Sequence, residues 1–283
     1  MAKLALGTVQ FGLNYGISNQ RGKVSPSEAA NILAFAQANN ITTLDTASAY
    51  GASEKVLGES LNQSINDFQI VTKIIPATDT IYAQVDESLI RLQTESVYAI
   101  MLHNAEDLLG GMGNRYFEQL LKLKEKGKIQ KIGVSVYTPE QFFQIIKMYK
   151  VDLVQVPMNV FDQRFCTAEF KQAVSKNSIE VHARSVFLQG LLLMKAGTWP
   201  DYFKPFTTPL WAFHDFVSAN HLSPIEACLA FAKSQDHIAK FVVGVNAKSE
   251  LEEIVQRFNK LPALDFSGLS QSNEQLINPA NWS

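Results

Sequence analysis

Short apolar runs rich in Val, Ile and Leu alternate along this chain with longer segments of helical period. The runs that read as strands are residues 4–8, 42–46, 69–74, 97–103, 132–136, 153–158, 180–187 and 241–245. They carry apolar residues on both faces, as strands of a parallel sheet covered by helices do. Between them lie helices with recognisable starts. Ser25, Pro26 and Glu28 predict an N-cap, a first-turn proline and a capping box, and Thr138, Pro139 and Gln141 repeat that design. EQLLKLKEKGK ends on Gly127 among lysines, a helix stop. Eight strand–helix units in 283 residues predict a (β/α)8 TIM barrel of one domain over 1–283, since such barrels run to about 250 residues. No GxGxxG follows the first strand, which weighs against a doubly wound nucleotide fold.

Two segments break the rhythm. Residues 195–211, with Pro, Gly and aromatics, form an insertion before the last helices, and NAEDLLGGMGN at 104–114 follows strand four. Both are expected to be lid-like loops at the C-terminal face of the barrel, with Phe203, Phe206 and Trp211 as candidate linings of a substrate pocket. Residues 261–283 are left as a C-terminal tail.

Composition narrows the class. A net charge of −2 gives no reason to expect nucleic acid or an anionic membrane as partner. The opening MAKLALGT carries no cleavable signal pattern, and no run approaches the roughly 18 apolar residues of a membrane span, so a cytoplasmic protein is expected. Cys166 and Cys228 lie in no CxxC spacing and read as reduced structural thiols. The histidines form no HExxH, so no metal is expected. His182, His214, His221 and His237 read as structural or surface residues, and Gly22 and Lys23 receive no phosphate-binding role.

The candidate chemistry sits at strand ends. Strand two ends at Asp45, with Tyr50 in the loop beyond it; strand three ends near Lys73; strand four ends at His103. Neighbouring strands lie about 4.8 Å apart, so these side chains can share one small volume. An acid, a phenol, an amine and an imidazole suit the donation of a proton to a carbonyl oxygen as hydride reaches its carbon. A phenol with a pKa of about 10 is a reluctant acid, and a nearby ammonium favours the phenolate. Lys73 can act so, with Asp45 keeping it charged, while His103 orients the carbonyl.

With those residues in place, the chain resembles the aldo-keto reductases, a family of (β/α)8 barrels that reduce aldehydes and ketones. DTASAYGASEKVLG is similar to the family's DTAxxYGxSExxLG, SLIRLQTESVYAIMLH to its segment ending in the active-site histidine, and IVTKI supplies the lysine. The resemblance implies Tyr50 as acid/base, Lys73 as modulator of its pKa, Asp45 as ion-pair partner and His103 as substrate orienter. It also implies a nicotinamide dinucleotide, NADP(H) with NAD(H) open, lying across the barrel mouth. Ser135, Gln155 and Asn159 match positions that hold the carboxamide. Arg184, Ser185, Gln189 and Gly190, in a stretch like YSPLAQGLL, match positions beside the nicotinamide and pyrophosphate. Gly244, Asn246, Lys248, Ser249 and Glu252 match the segment at the adenosine.

The pattern has departures. Val136 stands where many members have Asn, Arg184 where an aromatic stacks on the nicotinamide, and Asn246 where an arginine often meets the 2′-phosphate. The three residues ahead of the first strand leave no room for the N-terminal hairpin that often plugs the barrel floor, so something else must cover that end. Two other readings stay open: a Schiff-base enzyme of class I aldolase type on Lys73, and a non-catalytic, nucleotide-sensing partner of other proteins. The implied substrate is a small carbonyl compound, sugar-like or otherwise polar.

Overall fold

The computed structural model describes residues 3–78, 80–258 and 261–282, without the side chains at 63 and 66. The ends of the expected 1–283 domain, residues 1–2 and 283, lie outside the described residues, as do 79, 259 and 260. Eight strands close into a barrel in sequence order: β1 (Leu4–Gly7), β2 (Thr43–Asp45), β3 (Gln69–Ile74), β4 (Val97–Leu102), β5 (Ile129–Ser135), β6 (Leu153–Pro157), β7 (Glu180–Arg184) and β8 (Lys240–Gly244). Each is parallel to the next, and β8 closes on β1. The covering helices are α1 (Pro26–Ala38), α2 (Ser53–Leu61), α3 (Tyr82–Leu92), α4 (Gly113–Glu125), α5 (Pro139–Met148), α6 (Ala168–Lys176), α7 (Pro224–Ser234) and α8 (Lys248–Phe258). No described helix is long and apolar enough to cross a membrane.

Side chains alternate across each strand, so every second residue enters the barrel. Ile70, Ile74, Ile100 and Leu102 join the large core between sheet and helices. Val71, Ala99, Met101 and Leu153 form a separate apolar plug inside the barrel. Two residues further along the same strands come Lys73, His103 and Gln155, which therefore stand above that plug. The inward face of β7 carries Glu180, His182 and Arg184 by the same rule, one at each level.

The floor is covered by a polar cluster. Tyr98 donates to Glu180 Oε2 at 2.7 Å, His182 Nε2 lies 2.6 Å from Glu180 Oε1, and Lys131 ion-pairs with the same carboxylate. Burial would push the Glu180 carboxyl up, but hydrogen bonds from His182, Lys131 and Tyr98 outweigh it and bring it down to about 2. These residues cap the N-terminal end of the barrel.

Four expectations need correction. The Thr138–Gln141 capping box forms, but at α1 Ser25 accepts from the Glu28 N–H while the Glu28 side chain reaches Lys248 N instead, at 2.6 Å. The closed barrel brings α8 beside α1, and an unpaired N–H at the start of α8 takes the carboxylate. β7 stops at Arg184 rather than running to 187, because Ser185 has φ +63° and turns the chain. The 195–211 insertion contributes no residue to the main cavity. Its Phe203 is buried against Trp282 at 4.9 Å, Tyr202 donates to Gln275 O at 2.9 Å, and Trp199 meets Trp211 at 5.4 Å, so it is pinned to the C-terminal tail. Residues 104–114 likewise fold beside the barrel: Ala105 and Leu108 are fully buried, and Tyr149 donates to Leu108 O at 3.1 Å.

Candidate active site

The stretch from Asp45 to Glu54 is built to present Tyr50. Ser53 donates to Thr8 O at 2.8 Å and bonds the hydroxyls of Thr8 at 2.8 Å and Thr46 at 3.0 Å. Glu54, buried in the first turn of α2, accepts from Thr72 at 2.6 Å and from Arg91 at 2.7 Å. These two anchors fix both sides of the loop, and so the position of the phenol between them. Reading the sequence for chemistry passes over Ser53 and Glu54; their signal is two polar residues starting a helix that must pack on the sheet.

At the barrel mouth Lys73 Nζ donates to Asp45 Oδ1 at 2.6 Å and to Thr46 O at 2.9 Å, with both side chains almost wholly buried. Gln155 donates to the other carboxylate oxygen, Asp45 Oδ2, at 2.7 Å. Burial alone would lower the Lys73 pKa, but Asp45 outweighs it and holds the amine above its ordinary value. The ammonium lies 5.0 Å from the centre of the Tyr50 ring, and that ring stands edge-on to His103 with centroids 5.9 Å apart. Burial, with Lys73 next in weight, lowers His103 to about 4, so the imidazole is neutral at pH 7. The four expected residues thus converge.

Asp45, Tyr50 and His103 open into a cavity of about 670 Å³, within the range of small-molecule sites. Ser135, Gln155, Arg184, Ser185, Gln189 and Gly190 line it, and so do Gly244 and Asn246. Arg184 lays its guanidinium on the Tyr137 ring at 4.2 Å and makes no ion pair among the described residues. Among the described residues, three buried atoms on the wall lack a partner: Gln10 Oε1, His103 Nδ1 and Asn246 Oδ1.

Four of the cofactor-binding residues named from the sequence do not line this cavity. Asn159 accepts from the N–H groups of Phe161 and Asp162, both at 3.0 Å, and donates to Ser185 O at 3.2 Å; it ties a loop together. Lys248 pairs with Glu252 at 3.1 Å and sits over Phe35 at 5.6 Å, which accounts for both charged residues, and Ser249 is exposed.

The residues missed are on the segment after β1. Residues 13–22 cross the cavity as a strap, tied by Asn19, whose side chain bonds Tyr15 O, Gly22 O and the N–H groups of Arg21 and Gly22. Ile17 N donates to Gln189 O at 3.1 Å, and Ser18 Oγ sits 1.8 Å from where a β-carbon on Gly190 would be. Gly190 also has φ +91°, so both space and backbone require glycine there. Tyr15 lines the cavity, its hydroxyl pushed up to about 12 by burial and by the neighbouring Tyr50. Tyr15, Gln10 and Arg21 carry no local pattern that marks them, because the strap meets its partners only across the barrel mouth.

Comparison with known proteins agrees with this geometry. The chain is 25% identical to the uncharacterized oxidoreductase YqkF of Bacillus subtilis (strain 168), covering 100% of both. Its fold is like that of the aldo-keto reductase AKR11C1 from Bacillus halodurans in holo form, with a TM-score of 0.77, 18% identity, and coverage of 99% of this chain and 95% of that one. It is also like the glycerol dehydrogenase AKR11B4 from Gluconobacter oxydans, with a TM-score of 0.71, 21% identity, and coverage of 92% and 87%. The sequence model of the Aldo/keto reductase family matches residues 3–274, nearly the whole barrel. The closed eight-stranded barrel accords with that match, and the chain belongs to the aldo/keto reductase family of NAD(P)H-dependent oxidoreductases that act on carbonyl compounds.

Proposed function

We propose that this protein reduces the carbonyl group of a small polar aldehyde or ketone to an alcohol, with Tyr50 as the proton donor. The observation that carries the reading is the Lys73 ammonium, held by Asp45 at 2.6 Å and set 5.0 Å from the centre of the Tyr50 ring. A reduced nicotinamide, when bound, supplies hydride to the carbonyl carbon. Tyr50 gives its proton to the carbonyl oxygen, and Lys73 stabilises the negative charge left on the phenol oxygen. The His103 ring, neutral and therefore carrying one N–H, orients the carbonyl and stabilises charge building on its oxygen. Asp45 keeps Lys73 charged, and Gln155 keeps Asp45 in place. Solvent then returns a proton to Tyr50.

The cavity fits a dinucleotide in chemistry as well as size. Ser135, Gln155, Ser185, Gln189 and Gly190 would hold its nicotinamide and phosphate portions, and the unpartnered Gln10 and Asn246 oxygens await donors further along. Arg184, with no carboxylate partner among the described residues, supports an oxygen-rich or anionic substrate and could lie against the nicotinamide. The likeness of the whole chain carries an expectation of NADP(H); the residues at the far end of the cavity bear on that choice below. Two free cysteines with thiols pushed up by burial, Cys166 to about 12, fit a cytoplasmic setting.

The Schiff-base reading loses its support. Such a lysine must be deprotonated to attack a carbonyl, whereas Lys73 is buried beside a carboxylate that keeps it charged. The deciding experiment is Tyr50→Phe, which is expected to lower carbonyl reduction by about 10²–10⁴-fold while leaving cofactor binding intact. Full activity in that variant would refute the assignment.

A further inference from the structure

The cavity has two ends. Asp45, Tyr50 and His103 stand at one; Gln10, Arg21, Gly244, Asn246 and Glu250 stand at the other, where β8 passes into α8. A dinucleotide whose reactive ring lies at Tyr50 must place its second nucleoside at this far end. An adenosine with a 2′-phosphate brings a dianion that needs hydrogen-bond donors and positive charge. One with a free 2′-hydroxyl brings a donor that needs acceptors.

Two backbone donors at the start of α8 are already engaged. Asn246 N donates to Glu250 Oε2 at 2.7 Å, and Lys248 N donates to Glu28 Oε1 at 2.6 Å. A bare helix start would attract a phosphate, but here two carboxylates occupy its N–H groups. Lys248 Nζ is drawn to Glu252 at 3.1 Å and lies over Phe35, and none of the three lines the cavity. Arg21 is the cation that lines this end, and it is largely exposed and sits 3.8 Å from Glu250 Oε1.

Three side chains at this end of the cavity carry acceptor oxygens. Gln10 is 8% exposed and its Oε1 has no partner; Asn246 Oδ1 is buried without one. Gly244 keeps Gln10 at the wall, because a β-carbon there would come within 2.6 Å of Gln10 Nε2. The Glu250 carboxylate completes the set.

We propose that Glu250, with Gln10 and Asn246, makes this chain selective for NAD(H): the ribose hydroxyls donate to these acceptors, and Glu250 together with Glu28 repels a 2′-phosphate. Glu250 is thus the specificity-determining residue, and Asn246 the supporting acceptor where an arginine would have favoured the phosphate. This rests on the nicotinamide-dependent function proposed above.

The test is calorimetric titration of the full chain with NADH and with NADPH, in the wild type and in Glu250→Gln. Glutamine still accepts from Asn246 N, so the helix start is retained while the charge is lost. The wild type is expected to bind NADH roughly tenfold or more tightly than NADPH, and the variant to narrow that ratio by about tenfold, mainly by gaining affinity for NADPH. Equal or tighter binding of NADPH by the wild type overturns the selectivity and leaves the reductase reading standing. An unchanged ratio in the variant removes Glu250 as the selector. Binding of neither nucleotide overturns both the selectivity and the proposed function.

Discussion

Gln155 Nε2 donates to Asp45 Oδ2 at 2.7 Å while Lys73 occupies Oδ1 of the same carboxylate at 2.6 Å. The two strands that carry Gln155 and Asp45 are not neighbours, so this bond spans the barrel mouth and locks the acid from the far side. It makes Gln155 a positioning residue for the ion pair as well as a wall of the cavity.

Replacing Gln155 by Leu leaves one oxygen of a buried carboxylate without a donor, at a cost of about 1–3 kcal/mol. The expected result is a roughly tenfold lower kcat, a lower Tm and little change in KM for the carbonyl compound. An unaltered kcat would mean that Lys73 alone orients Asp45.

His103→Leu is expected to cost about 10²-fold in kcat through the lost hydrogen bond to the carbonyl. It also has a signature in acid stability. His103 titrates at about 4 in the folded chain, below the unfolded value near 6.5, so the unfolded chain takes up its proton first. Stability is therefore lost as pH falls from about 6.5 through about 4, and no further below that. Urea unfolding at several pH values across this window should show a shallower decline in the variant; an identical slope would count against a buried neutral imidazole.

Glu180→Gln tests the floor cluster. Glu180 lies at about 2 when folded against an ordinary 4.5, so its contribution is complete above about pH 4.5 and is lost as pH falls towards 2. At pH 7 the variant leaves the half-buried Lys131 ammonium without its anion, and a loss of about 1–3 kcal/mol is expected. The gap between the thermal melts of the two proteins should narrow from pH 7 to pH 3. A constant gap would assign the effect to packing instead of charge.

Gly190→Ala drives a β-carbon into Ser18 Oγ at a position with φ +91°. The strain, about 1–3 kcal/mol, is relieved when the strap over residues 13–22 lifts from the Gln189–Gly190 turn. Faster release of bound nucleotide, followed by stopped-flow fluorescence, is the expected outcome. An unchanged release rate would show that the strap does not hold the cofactor in.

Much of the fold and of the tetrad was legible because both obey short-range rules. Asp45, Lys73 and His103 stand at the ends of apolar strands, and parallel strands in sequence order bring consecutive ends together, so the convergence could be read before any coordinates. Asn159 and Lys248 were misplaced for the complementary reason. A polar residue just past a strand or in a first helical turn has equally good local uses, and only its neighbours in space reveal which it takes. The insertion at 195–211 looked like a lid by composition, yet Trp282 and Gln275 hold it elsewhere.

The sequence alone determined the alternation of strands and helices, hence the closed barrel, and the order in which acid, phenol, amine and imidazole reach its mouth, because these depend on side-chain periodicity and on capping within a few residues. Tertiary structure decided what covers the floor, which loop straps the cavity, and how Glu28 comes to cap a helix that starts 220 positions later. Those depend on ring closure, which sets α8 beside α1 and the segment after β1 beside the exit of β7, and no local pattern encodes which distant polar groups will then be close enough to bond.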